Sequence, residues 1–209
     1  MPGKILICCL LCCIGYLPEF SLAELVSYTD EAAFRAALDD KSPQSWQILH
    51  EGFENSAWQA ARSPAQQKVV FSQGLTWSAN HQVNALTTGR GAAHSGSWAL
   101  FSNPHGDSSL SDPAAFTRDG LLLRSESRIH AIGGWFNNNL ARGKIGFVLD
   151  GARTVTFDGK TLGVRHGFYG LIDDDGFLRV EIHEREGTVE DRQFLFADDL
   201  LIGREPGSG

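Results

Sequence analysis

Phe177-Leu178-Arg179-Val180-Glu181-Ile182 alternates apolar and polar residues after Leu178. A period of two puts one set of side chains against a core and the other in water, as in a strand of an antiparallel sheet. Asp175-Gly176 stands just before this stretch, and the same dipeptide recurs as Asp150-Gly151 and Asp158-Gly159. Such pairs suit the positive φ angles of tight hairpin turns. Around them lie short β-type runs at 46–50, 69–71, 75–78, 98–101, 121–124, 129–137, 144–150, 154–157, 167–171, 178–183 and 193–201. Many short strands with explicit turns and no helical interludes predict an all-β chain, an antiparallel β-sandwich of jelly-roll type. The stretch from Pro104 to Arg118, rich in Ser, Asp, Gly and Pro, reads as a long loop.

One short helix is expected ahead of the strands. In Tyr28-Thr29-Asp30-Glu31-Ala32-Ala33-Phe34-Arg35-Ala36-Ala37-Leu38, Thr29 is a suitable N-cap, and Asp30 and Glu31 sit at the positive end of the helix dipole. Ala33, Phe34, Ala37 and Leu38 then line one apolar face, suited to covering one end of a sheet.

The first 23 residues have the layout of a secretory signal peptide. Lys4 precedes an apolar run from Ile5 to Leu17, and Ser21-Leu22-Ala23 offers a small-residue cleavage site. The run is shorter than the ~20 residues a membrane span needs, and Pro18 and Glu19 close it. Cleavage after Ala23 would remove Cys8, Cys9, Cys12 and Cys13, which are all the cysteines of the chain. The expected product is an exported protein, secreted or periplasmic, that folds without disulfides. It would comprise one β-sandwich domain over 24–203 and a polar tail over 204–209. No later segment is apolar enough to span a membrane. The formal net charge of −7 argues against nucleic acid as a partner, since phosphate binding needs clustered Lys and Arg.

Taken in order, the motifs TDEAAFRAAL (29–38), HEGFEN (50–55), GLTWSA (74–79), IHAIGGWFNN (129–138), VRHGFYGLIDDDGFLRVEI (164–182) and FLFADDLLIG (194–203) resemble a known group. They are similar to the exported β-sandwich domains of bacterial proteins that carry a PEP-CTERM sorting tail. That resemblance implies a cell-surface or matrix protein, often associated with extracellular polysaccharide. Only Arg204-Glu205-Pro206-Gly207-Ser208-Gly209 follows Gly203, so tail-directed sorting is not expected here. In topology the sandwich also resembles carbohydrate-binding jelly rolls, in which the first and last strands often share a structural calcium.

Four acidic residues are candidate calcium ligands on that reading: Glu51 and Glu54 near the end of the first strand, and Asp198 and Asp199 in the last. Calcium takes six to eight oxygens from carboxylates, carbonyls and water. The alternative is solvated Glu51, Glu54 and Asp199, with Asp198 accepting backbone N–H groups from a neighbouring turn. Asp173-Asp174-Asp175-Gly176 reads as a tight turn between Leu171 and Phe177. An EF-hand loop needs alternate ligands and a closing Glu, and consecutive aspartates supply neither. His183-Glu184 lacks the second His of a zinc-protease helix, because position 187 is Gly. His94 and His105 match no metal spacing.

The aromatics are the other candidates, because sugar rings pack their apolar faces on indoles. Trp77, Trp98 and Trp135 stand inside expected strands, where core burial competes with a binding role. Trp58, in a loop, is the expected exposed indole. Trp135 followed by Asn137, Asn138 and Asn139 joins an aromatic to amides able to bond hydroxyls. No serine sits in a nucleophile elbow, and the pairing of Glu181 with Glu126 or Asp150 for glycoside hydrolysis has no distinguishing signal. The leading expectation is a non-catalytic protein that binds a carbohydrate or another envelope or matrix component. A polysaccharide hydrolase and a structural protein-interaction domain are the alternatives.

Overall fold

The structure is a computed structural model and describes residues 24–41, 46–79, 85–103, 120–138, 145–157, 167–184 and 195–207. Within these residues the order is β1 (Leu25–Tyr28), α1 (Glu31–Lys41), β2 (Gln47–Glu51), a 3₁₀ helix (Ser56–Ala61), β3 (Val69–Ser72), β4 (Leu75–Ala79) and β5 (Ala85–Gly89). Then follow β6 (Ala99–Asn103), β7 (Leu121–Asn138), β8 (Ile145–Leu149), β9 (Arg153–Thr156), β10 (Gly167–Glu184) and β11 (Leu195–Arg204). The sequence-based expectation of an antiparallel β-sandwich holds, and every pairing between named strands is antiparallel. The signal-peptide segment, Asn139 and the loop from Pro104 to Arg118 lie outside the described residues.

Two strands belong to both layers. The first part of β7 pairs with β4, and the last part of β10 pairs with β8, so one layer runs β3-β4-β7-β10-β8-β9. The first part of β10 pairs with β1 and the last part of β7 with β11, so the other runs β1-β10-β7-β11. There β11 continues to β6 and β5 through its first residues and to β2 through its last. The passage between layers falls at Asp173-Asp174-Asp175-Gly176. Ile172 pairs with Ala131 and Phe177 with Ile129, so β10 advances five residues while β7 advances two. Arg179 then pairs with Arg124, so β7 advances five while β10 advances two.

The two bulges compensate each other, and the strands bend together. The expected tight turn between two strands is therefore a bulge inside one strand, although Gly176 does take a positive φ of 66°. The expected strands at 121–124 and 129–137 fuse in the same way, into β7.

Between the layers lies the main core, including Trp58, Trp77, Phe136, Phe147, Phe177 and Leu200. Helix α1 covers the outer side of the second layer, where Phe34 and Leu38 meet Ala131, Phe168, Ile172 and Leu201. Phe34 fits because Gly133 and Gly170 face each other across β7 and β10. A Cβ on Gly133 would come within 2.9 Å of the Phe34 ring, and one on Gly170 within 3.0 Å. The glycine pair forms a hollow in the sheet, and burying a ring there contributes about 2–3 kcal/mol.

The helix begins one residue later than expected, since Asp30 rather than Thr29 caps it: its Oδ1 accepts the Ala33 N–H at 2.9 Å. Strands β1 and β5 carry no legible signal in the sequence. The first has four residues, and the second is buried at all five positions and so shows no alternation.

Candidate functional site

The outer face of the second layer can be assigned residue by residue. Phe136, Leu195, Ala197 and Leu100 all point into the main core. Their strand neighbours Trp135, Asn137, Phe196, Asp198 and Phe101 therefore turn to the outer side, where the three rings are half-buried and Asn137 and Asp198 are buried. Cross-strand pairing brings these into one patch: Asp198 lies opposite Trp135, Phe196 opposite Asn137, and Phe101 opposite Phe196. The rings of Phe101 and Phe196 are 5.0 Å apart. Trp135 is half-buried beside α1 and is fixed from three sides. Its Nε1 donates to Glu31 Oε2 at 3.1 Å. It meets Phe168 in a T-shaped contact at a ring separation of 5.9 Å, and the imidazole of His94 stacks flat on it at 4.0 Å.

His94 belongs to the loop that joins β5 to β6, and three carboxylates seat that loop. Asp198 Oδ2 accepts the backbone N–H groups of His94 at 2.7 Å and Ser95 at 3.0 Å. Asp199 Oδ2 lies 2.9 Å from His94 Nδ1, and its Oδ1 accepts Ser95 Oγ at 3.0 Å. His50 Nε2 approaches the same Asp199 Oδ1 at 3.3 Å. Glu54 Oε1 accepts the N–H groups of Ser97 and Trp98, the latter at 2.9 Å. Gly96 makes this approach possible, because it has a φ of +63° and any Cβ there would collide with Glu54 Oε1.

Consecutive residues of a regular strand point to opposite faces, yet Asp198 and Asp199 reach the same loop. The cause is a bulge. From Asp198 to Leu201, β11 advances three residues while β7 advances from Trp135 to Gly133, and Asp199 takes a φ of 49°. Burial pushes the Asp198 carboxyl above its ordinary value, outweighing the two loop N–H groups that favour its charged form. Burial acts the same way on Asp199, but hydrogen bonds from His94 and Ser95, with the charges of His50 and His94, hold it below the ordinary value.

Glu51 stands apart from this group. Buried on β2 opposite Leu200, it accepts Phe53 N–H at 2.9 Å, Asn55 Nδ2 at 3.1 Å, Ser72 Oγ and, at 3.3 Å, Gln73 Nε2. The first and last strands of the calcium expectation are thus adjacent, but the four acids divide between two networks. Among the described residues no three His, Cys, Asp or Glu side chains gather around a common point suited to a metal. Most of the carboxylate oxygens already accept N–H or O–H donors. Asp198 Oδ1 is different, being buried with no hydrogen-bond partner.

Trp58 is not the exposed indole that its loop position suggests. Asn55 Oδ1 caps the 3₁₀ helix by accepting Ala57 N–H at 2.9 Å, and the helix turns Trp58 and Ala61 inward. Trp58 is 0% exposed and meets Phe53 at 4.9 Å and Trp77 at 5.7 Å between ring centres. A ring enclosed in this way offers no face to a ligand. Asn138 ends β7. For the hydrolase alternative, Asp150 accepts the N–H groups of Leu178 and Arg179, and Glu181 pairs with Arg179. Both are used structurally. His94 and Ser95, which join the acids to Trp135, carry no sequence signal beyond their loop position.

No family model and no curated protein matches the chain. Among solved structures it is similar to the CBM22-1 xylan-binding domain from Paenibacillus barcinonensis Xyn10C, with 12% identity, 79% of this chain and 99% of that one covered, and a TM-score of 0.46. The K2 cleaved adhesin domain of Lys-gingipain gives 11% identity, coverage of 75% and 99%, and a TM-score of 0.47. A family 29 carbohydrate-binding module gives 12% identity, coverage of 76% and 92%, and a TM-score of 0.40.

Proposed function

We propose that this protein binds carbohydrate, in the form of an extracellular or envelope polysaccharide, on the outer face of its second layer. The observation that supports this is the aromatic patch on that face: Trp135, held by Glu31 and Phe168 and stacked by the exposed imidazole of His94, with the Phe196 and Phe101 rings and the largely buried Asn137 amide beside it. Sugar rings have apolar C–H faces that pack on fixed aromatics and hydroxyls that bond amides. A rigid platform avoids the ordering cost that a mobile side chain would add. Export through the signal peptide over 1–23 belongs to the same proposal, as does a structural calcium at Asp198 Oδ1, supported by that buried oxygen.

A glycan array with wild type, Trp135→Ala and Asn137→Ala tests the reading. Wild type is expected to bind at least one polysaccharide, with losses of roughly tenfold or more in Trp135→Ala and a smaller loss in Asn137→Ala. Melting curves establish that both variants fold. A wild type that binds no glycan, or folded variants that bind as well as wild type, overturns it.

A further inference from the structure

Trp98 lies at the rim of the main core, half-buried and packed against it, just before β6. Two guanidinium groups stand over its ring, Arg62 Cζ and Arg90 Cζ, each 5.0 Å from the ring centre. The backbone brings the three together. Gly89 pairs with Ala99 at the end of the β5–β6 ladder, so Arg90 and Trp98 are the next residues across it. Arg62 follows the 3₁₀ helix and forms a bridge to Thr88 of β5.

Neither charge is neutralised by an acid among the described residues. Arg62 Nη2 donates to the Glu54 backbone carbonyl at 2.9 Å, and its Nε is buried without a partner. Arg90 is exposed and makes no hydrogen bond or ion pair among the described residues. The Glu54 carboxylate turns its Oε1 to the Ser97 and Trp98 N–H groups and forms no ion pair with either arginine. Two like charges over one indole repel each other, and this occurs in a chain whose formal net charge is −7. A guanidinium carries a planar donor fork that matches a carboxylate, and Arg90 is exposed.

We propose that Arg62, Trp98 and Arg90 form a site for the carboxylate of an acidic sugar, a uronate unit. The anion would accept from the exposed Arg90 guanidinium and offset the positive charge of the pair. That the carboxylate belongs to a sugar rests on the carbohydrate reading above. His94 and Trp98 lie in one loop, so a single chain of sugars could meet the Trp135 platform and this site together. The site then selects uronate-containing polysaccharides over neutral ones.

Affinity gel electrophoresis of the full chain tests this with polygalacturonate, neutral galactan and poly-L-glutamate in separate gels. Wild type is expected to bind polygalacturonate most tightly, and less tightly as salt rises. Arg90→Gln, at an exposed residue without hydrogen bonds, is expected to lose about tenfold in affinity for polygalacturonate and none for galactan. Arg62→Lys keeps the charge, loses the fork, and is expected to fall between. Preference for galactan in wild type, or unchanged polygalacturonate binding in Arg90→Gln, overturns the site while leaving the platform standing. Equal retardation by poly-L-glutamate overturns the assignment to a sugar. Arg90-dependent binding of polygalacturonate that Trp135→Ala leaves unchanged supports this site and counts against the platform.

Discussion

Asp198 and Asp199 hold the same two residues by different parts. Asp198 takes the backbone N–H groups of His94 and Ser95, and Asp199 takes their side chains. The bulge in β11 turns both carboxylates to one side, and the loop between β5 and β6 is fastened twice at one point.

The two acids shift in opposite directions, so they have opposite effects on stability as pH changes. Asp199, held below 3.8, contributes stability that is fully present above that value and is lost as pH falls through its depressed native value. Asp198, raised above 3.8, binds its proton more tightly in the folded state. It therefore costs stability as pH rises from 3.8 through its raised native value. Melting temperatures over roughly pH 3–6 in EDTA check both, since ordinary carboxylates titrate in that range. Asp199→Asn should lessen the acid-side loss and Asp198→Asn the loss on the rising side. Variants that melt in parallel with wild type across the range refute the assignment.

The hollow beneath α1 gives a second expectation. Gly133→Ala would press a Cβ to within 2.9 Å of both Phe34 and Phe168. Overpacking of this kind costs about 1–3 kcal/mol. Denaturant unfolding should show a clearly smaller penalty when the same change is made in a Phe34→Leu background, because the two sites share a contact. Equal penalties in both backgrounds would mean that the ring is not what limits the space.

Calcium at Asp198 Oδ1 makes a third. The oxygen is buried without a hydrogen-bond donor, and an ion bound only by the folded state raises stability by mass action. EDTA at neutral pH is expected to lower the melting temperature of wild type by a few degrees, about 2–8 °C, and to leave Asp198→Asn unaffected. A wild-type melting curve that EDTA does not move removes calcium from the account.

Much of the architecture was legible because it rests on local pattern. The alternation through Arg179-Val180-Glu181-Ile182 reports burial directly, as do Phe34 and Leu38 of the expected α1 face, whereas Ala33 of that face is exposed. The site was harder to read, since it depends on register. Nothing local tells that Asp198 and Asp199 share a face, because only the extra residue in β11 and the positive φ at Asp199 bring that about. Trp58 misled for a related reason. A loop between turn residues normally lies outside, but the 3₁₀ helix capped by Asn55 carries its indole to the centre of the core. In sequence the bulge at Asp173–Gly176 looks like a turn, because a glycine with positive φ serves either; only the pairing on either side separates them.

The compensating bulges of β7 and β10 also have a consequence for how the molecule comes apart. Each long strand runs, bent but unbroken, through both layers, so neither layer can peel away without disturbing the backbone ladder of the other. Amide protons at the centre of both layers are therefore expected to exchange together, as one cooperative unit, whereas short edge strands such as β1 and β3 open on their own.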